Sequence, residues 1–156
     1  MTEFDTGMFG GKFMPLHRGH KYCIEVASEE CRTVYAILFF AYSEGIREDY
    51  ISPEHRWERL CELCREFGNV FPAKIDISGM LTPDGREDWD RETPEVLKIC
   101  GRPDAVYSSE PSYGEYFARA YPGAVHRIVD AERKAVPISG TEIRNMDAKE
   151  RMKWII

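Results

Sequence analysis

The sequence predicts an α/β fold: a parallel sheet with helices on both faces. Three observations carry this. Runs rich in β-formers alternate with stretches of helical periodicity along the whole chain. The run Thr33–Tyr42 (TVYAILFFAY) is almost continuously apolar, as in a strand covered on both faces. A glycine-bearing stretch follows the first strand and opens the first helix, and open α/β sheets bind ligands past the carboxyl ends of their strands.

Taken in order, residues 1–7 are polar and read as a loose lead-in. Met8–Phe13 reads as the first strand. Gly19 to about Cys31 reads as a helix, with Cys23, Ile24, Val26 and Ala27 at helical spacing. Thr33–Tyr42 is the second strand, and Ser43–Tyr50 a polar loop. Ser52 caps the next helix, with Pro53 at its first position. That helix runs to about Phe67, with Trp57, Leu60, Cys61, Cys64 and Phe67 on one face, and Gly68 stops it. Val70–Ile77 is a third strand, weakened by Pro72. Ser78–Arg91 reads as a long polar loop with a Pro-Asp-Gly turn. A loop of that length marks a functional or mobile segment. Thr93–Cys100 is a short helix, Ala105–Ser109 a strand, and Tyr113–Tyr121 a helix ended by Pro122-Gly123. Ala124–Val129 is the fifth strand. Pro137–Thr141 leads into a helix at Glu142, and Asp147–Trp154 reads as a terminal helix.

At 156 residues the chain suits one core, so residues 1–156 are read as a single domain. A net charge of −6 argues against a general nucleic-acid or membrane-surface role. No apolar run approaches a membrane span, and MTEFDTG lacks the pattern of a signal peptide. Five cysteines form no framework, which points to reduced thiols and a cytoplasmic setting. Cys61 and Cys64 fall mid-helix on an apolar face and read as core rather than as a redox pair.

The chemistry concentrates in Gly11–His20, GKFMPLHRGH. A strand passing through glycine into a helix start makes a phosphate-binding corner. Gly11 and Gly19 allow close backbone approach, and the N–H groups of the first helical turn are expected to face an anion. His17 and His20, three residues apart, share one face of that turn and can donate to phosphate oxygens. The plain alternative is a tight turn with two exposed histidines. A second block, Ile138–Arg144 (ISGTEIR), places the hydroxyls of Ser139 and Thr141 at a helix start with Arg144 one turn on, a second anion cradle. Its plain alternative is a helix cap with a solvated arginine.

These blocks resemble a known family. GKFMPLHRGH is similar to the GxFxPxHxGH signature of the nucleotidylyltransferase superfamily, and ISGTEIR to its ISxTxxR signature. Within it the chain looks most like the nicotinamide-nucleotide adenylyltransferases, in particular the adenylyltransferase domain of the bacterial bifunctional NAD-synthesis regulator. Val106–Ala118 (VYSSEPSYGEYFA) resembles a strand-loop-helix of that regulator. The resemblance implies a Rossmann-like, doubly wound domain with a five-stranded parallel sheet. It implies transfer of AMP from ATP to nicotinamide mononucleotide, giving NAD and pyrophosphate. His17, His20 and Lys12 would be catalytic. Gly10, Gly11, Phe13, Gly19, Ser109, Ser139, Thr141 and Arg144 would bind ATP, and Glu110 and Tyr113 are further candidates near the nucleotide. Arg47 would hold the mononucleotide's phosphate, with Arg56 and Arg59 as weaker candidates. Trp89 would stack on its pyridinium, with Asp88 and Asp90 adding negative charge. Mg²⁺ is expected on the ATP phosphates and water, with no dedicated protein ligands. A homo-oligomer is possible. The same signatures serve enzymes that use phosphopantetheine-type acceptors or CTP, and a nucleotide-binding sensor without turnover stays open as an alternative.

Overall fold

The first strand starts earlier than its polarity suggests. β1 spans Phe4–Gly11, so most of the expected lead-in is strand. Phe4 pairs with Cys31 and Thr6 with Thr33 at the start of β2 (Cys31–Phe40). Tertiary pairing has overridden a polar local pattern here. The computed structural model describes residues 2–41, 51–84, 86–130, 134–139, 142–143 and 146–155.

The remaining elements are α1 (Arg18–Glu30), α2 (Pro53–Cys64), β3 (Val70–Asp76), α3 (Trp89–Cys100), β4 (Ala105–Ser108), α4 (Gly114–Ala120), β5 (Val125–Ile128) and α5 (Ala148–Arg151). Among the described residues the five strands form one parallel sheet in the order β3-β2-β1-β4-β5. Pro72 falls in the edge strand β3, where a residue without an N–H is tolerated.

Side-chain alternation explains the continuous apolar runs. Phe9, Ala36, Leu38 and Tyr107 face one core with Ile24 and Ala27 of α1 and Leu60 and Leu63 of α2. Their neighbours Met8, Ile37 and Val106 face a second core with Val96 of α3, Phe117 of α4 and Tyr121. Both faces at the centre of the sheet are therefore buried, and β2 and β4 carry apolar residues at adjacent positions, whereas the edge strands β3 and β5 keep exposed and charged ones. Cys64 lies in the first core with its thiol pushed up to about 12 by burial, which suits packing rather than redox chemistry.

The strand order reverses between β1 and β4. The crevice past their carboxyl ends is where this architecture binds ligands, and β1 delivers the glycine-bearing stretch to it. On the far side, α3 begins at Trp89, four residues before the expected start. Asp88 caps it by accepting from the Asp90 N–H at 3.1 Å, and the Tyr116 hydroxyl donates to the Trp89 carbonyl at 2.6 Å. These anchors carry the helix through Pro94, which lies inside it near its first turn.

Candidate active site

The corner after β1 is held by packing as much as by glycine. A Cβ on Gly10 would lie 2.5 Å from the Phe39 ring, and one on Gly11 2.9 Å from the Phe13 ring, so both positions exclude a side chain. Phe13 has φ 50° and is 1% exposed. Its ring meets His20 edge-on at 4.9 Å. Its side chain thus holds His20, and any contact to a nucleotide would run through its backbone. Arg56, 1% exposed on α2, donates to the Lys12 carbonyl at 3.0 Å and ties the loop to the first helical layer. Arg59 pairs with Glu62 at 3.1 Å on the surface.

His17 is the N-cap of α1 and is 2% exposed, not an exposed turn residue. Its Nδ1 accepts the Gly19 N–H at 3.0 Å, and His20 Nδ1 accepts the His17 N–H at 3.1 Å. This is a capping box built from two imidazoles. The rings stack 3.7 Å apart, 27° from parallel. With both Nδ1 atoms accepting, each neutral ring carries its proton on Nε2 and donates from there. The expectation that backbone N–H groups of this turn greet an anion is corrected. The Gly19 N–H is taken by His17, and the Arg18 N–H donates to the Trp154 carbonyl at 2.9 Å. Ile155 also bridges to His17, so the last described residues lie against the corner.

A cavity of about 260 Å³ opens beside this corner. Gly10, Gly11 and Lys12 form one side, and Trp89 and Glu92 of α3 another. Ser108 at the end of β4, with Tyr113, Tyr116 and Phe117, completes the wall. Trp89 meets Tyr113 edge-on at 4.9 Å and Tyr116 at 5.1 Å. Lys12 Nζ lies 3.7 Å from a carboxylate oxygen of Glu87, which also lines the cavity.

The structure therefore gathers Gly10, Gly11, Lys12 and Trp89 around one cavity, adjoining His17 and His20 along the chain. Ser109 lies elsewhere, its hydroxyl 3.4 Å from the Cys23 thiol of α1. Its neighbour Ser108 lines the cavity instead and bonds His126 Nε2 at 2.6 Å. Burial lowers the His126 pKa. In the second block the Ser139 hydroxyl accepts the Glu142 N–H at 3.2 Å and donates to the Glu142 carboxylate at 3.1 Å, a helix cap. Arg47, Thr141 and Arg144 lie outside the described residues.

Glu92 is the cavity residue that sequence reasoning missed. It is 5% exposed, and burial first, then the neighbouring Glu87 carboxyl, push its pKa well above the ordinary carboxylate range. It hid at the end of the polar run REDWDRE, between the expected loop Ser78–Arg91 and the helix expected from Thr93. The signal that could have found it is helical spacing from Trp89 through Glu92 to Val96, once the helix is started at its aspartate cap.

Comparison with known proteins adds the following. The trifunctional NAD biosynthesis/regulator protein NadR of Escherichia coli (strain K12) is 28% identical over 153 residues, 88% of this chain and 36% of that protein. The chain thus spans about a third of the curated relatives it matches. A crystal structure of NadR protein in complex with NAD and AMP-PNP superposes with a TM-score of 0.69 at 20% identity, covering 99% of this chain and 45% of that one. A bifunctional NMN adenylyltransferase/ADP ribose pyrophosphatase from Francisella tularensis gives 0.68 at 18% identity, over 90% and 41%. A second structure of that enzyme is complexed with AMP and a manganese ion. These similarities support the fold: a Rossmann-like, doubly wound α/β sheet. The cytidylyltransferase-like family matches residues 8–146, nearly the whole chain, so the protein belongs to the cytidylyltransferase-like family and is a nucleotidyltransferase.

Proposed function

We propose that the protein transfers AMP from ATP to nicotinamide mononucleotide, forming NAD and releasing pyrophosphate, and that residues 1–156 act as one catalytic domain. The observation that carries this is the aromatic cavity faced by Trp89, opening beside the two-histidine corner. A pyridinium is a flat cation, and an indole face in a cavity bordered by Glu87 suits it. The match to a NAD biosynthesis/regulator protein supports the same acceptor.

The chemistry needs little from the protein beyond alignment and charge. The acceptor's phosphate is largely dianionic at neutral pH, its second pKa being about 6. One of its oxygens attacks the α-phosphorus of ATP. The bond from that phosphorus to the bridging oxygen breaks, and the electron pair leaves with pyrophosphate. His17 and His20, donating from Nε2, stabilise charge on the α-phosphate and the departing oxygen. Lys12 reaches the same region from the cavity side. Ser139, Thr141 and Arg144 would hold the outer phosphates, and Arg47 the acceptor's phosphate. Rings that donate from Nε2 suit phosphate rather than metal, so a divalent ion, Mg²⁺ in our reading, would be held by ATP phosphates and water. It would supply charge neutralisation on the leaving group. The manganese and AMP in the Francisella tularensis enzyme support a divalent ion here.

A pyrophosphate-release screen tests this. ATP and CTP are each paired with nicotinamide mononucleotide, phosphopantetheine and other phosphate monoesters. Formation of NAD from ATP is the expected result. Strong turnover of another acceptor with no NAD formed would overturn the acceptor assignment, and no turnover with any pair would favour a nucleotide sensor.

A further inference from the structure

Lys12 and Glu87 both line the cavity, and their ion pair is loose. Lys12 Nζ lies 3.7 Å from a Glu87 carboxylate oxygen, well beyond the length of about 2.8 Å that marks a tight charge-assisted hydrogen bond. The two side chains keep 47% and 25% of their surface exposed, so an occupant of the cavity can reach both. They are held differently. Glu87 sits in a hairpin: it bridges to Leu81, the Thr82 N–H donates to the Arg86 carbonyl at 2.7 Å, and the Asp88 N–H to the Met80 carbonyl at 3.0 Å. Arg56 anchors the Lys12 backbone through its carbonyl, while the ammonium rides on a long flexible stem. The carboxylate is therefore fixed, and the ammonium can swing.

Among the described residues that line the cavity, Lys12 is the only basic side chain, and Glu87 and Glu92 carry the only carboxyl groups. The two substrates make opposite claims on the Lys12–Glu87 pair. The triphosphate draws the ammonium. The pyridinium, lying on Trp89, needs an anion, and Glu87 borders the same cavity. We propose that Glu87 exchanges cations during binding: the acceptor's pyridinium takes the place of the Lys12 ammonium, and Lys12 is released to the triphosphate. The proposal rests on the mononucleotide reading above and adds to it the residue that couples the two substrates and favours a cationic base. When ATP binds alone, Lys12 leaves a carboxylate uncompensated near another anion. When the acceptor is present, its ring supplies the missing charge. Each substrate therefore lowers the cost of binding the other, and the coupling is reciprocal. An acceptor with an uncharged base leaves Lys12 engaged with Glu87.

The test titrates the protein by calorimetry with the magnesium complex of α,β-methylene-ATP, whose bond at the α-phosphorus does not break. The titration is run without acceptor, with saturating nicotinamide mononucleotide, and with saturating reduced nicotinamide mononucleotide. The reduced form keeps the ring size, ribose and phosphate but carries no charge on the ring. In wild type the pyridinium form should make the analogue bind tighter by about fivefold or more than the reduced form does. In Glu87→Gln the analogue alone should bind more tightly than to wild type, and the two acceptor forms should agree to within about twofold. The wild-type comparison gives an answer that needs no variant to fold. Equal affinities with the two forms in wild type overturn the proposal. So does a difference that persists in Glu87→Gln, because it then comes from direct attraction between pyridinium and triphosphate. In either case formation of NAD keeps the function reading in place. Turnover of neither mononucleotide, with another phosphate monoester accepted, overturns that reading and this proposal together.

Discussion

On the proposed mechanism His17 has two jobs, and they can be separated by substitution. Its Nδ1 caps α1 by accepting the Gly19 N–H at 3.0 Å, while its Nε2 is assigned to phosphate. His17→Asn keeps an acceptor near the Nδ1 position, because an asparagine side-chain oxygen is a favoured N-cap. It removes the outer donor. Stability should stay within about 0.5 kcal/mol of wild type, while kcat falls by about a hundred- to a thousandfold, the loss of one transition-state donor worth about 3 kcal/mol. His17→Ala removes both functions. It should lose a similar factor in kcat and also about 1–2 kcal/mol of stability, because the cap is gone and the Gly19 N–H is left without its partner in a site where His17 is 2% exposed. The assays are NAD formation under saturating substrates and urea unfolding followed by far-ultraviolet circular dichroism. The reasoning fails if His17→Asn turns over at the wild-type rate, or if it unfolds as easily as His17→Ala while both keep their kcat.

Other expectations follow from the same geometry. Trp89→Ala should raise KM for the mononucleotide by about tenfold with KM for ATP unchanged, as steady-state kinetics would show; an effect confined to ATP would remove Trp89 from the acceptor's side. Glu30 is held below its ordinary value of 4.5, mainly by its hydrogen bond to Arg127. That stability is present above the unfolded pKa and is lost as pH falls through the folded one, so Arg127→Met should lower stability at pH 7 and flatten the acid limb of a stability-versus-pH curve. Glu92 behaves oppositely, its folded pKa raised first by burial. Wild type should lose stability as pH climbs from about 4.5 towards that raised value, by up to about 1.4 kcal/mol per pH unit. Glu92→Gln should flatten this limb, and an unchanged slope in thermal melts from pH 5 to 9 would contradict the assignment.

Much of this fold is legible in the sequence because its dominant forces are local and periodic. Thr33–Tyr42 announces a strand with two covered faces, and Ile37 does pack opposite to Ala36 and Leu38. Ser52 and Pro53 announce a helix start, and the Ser52 hydroxyl does accept the His55 N–H. What stays hidden depends on contacts distant in sequence. Phe4–Gly7 reads as a lead-in until it pairs with β2. Trp89 reads as a loop residue until Tyr116, 27 positions on, bonds its carbonyl. The choice between Ser108 and Ser109 is a matter of strand phase, since adjacent residues point to opposite faces. In the signature, the residue types point to phosphate chemistry, but a sequence does not say that the helix cap is made from the same two rings.

The strand-like contact at the far end of the chain has a practical side. Residues 154 and 155 touch His17 and Arg18, so this segment is a near neighbour of the two-histidine corner although it is remote from it in sequence. Losing Trp154 would strip a hydrogen-bond acceptor from the first turn of α1.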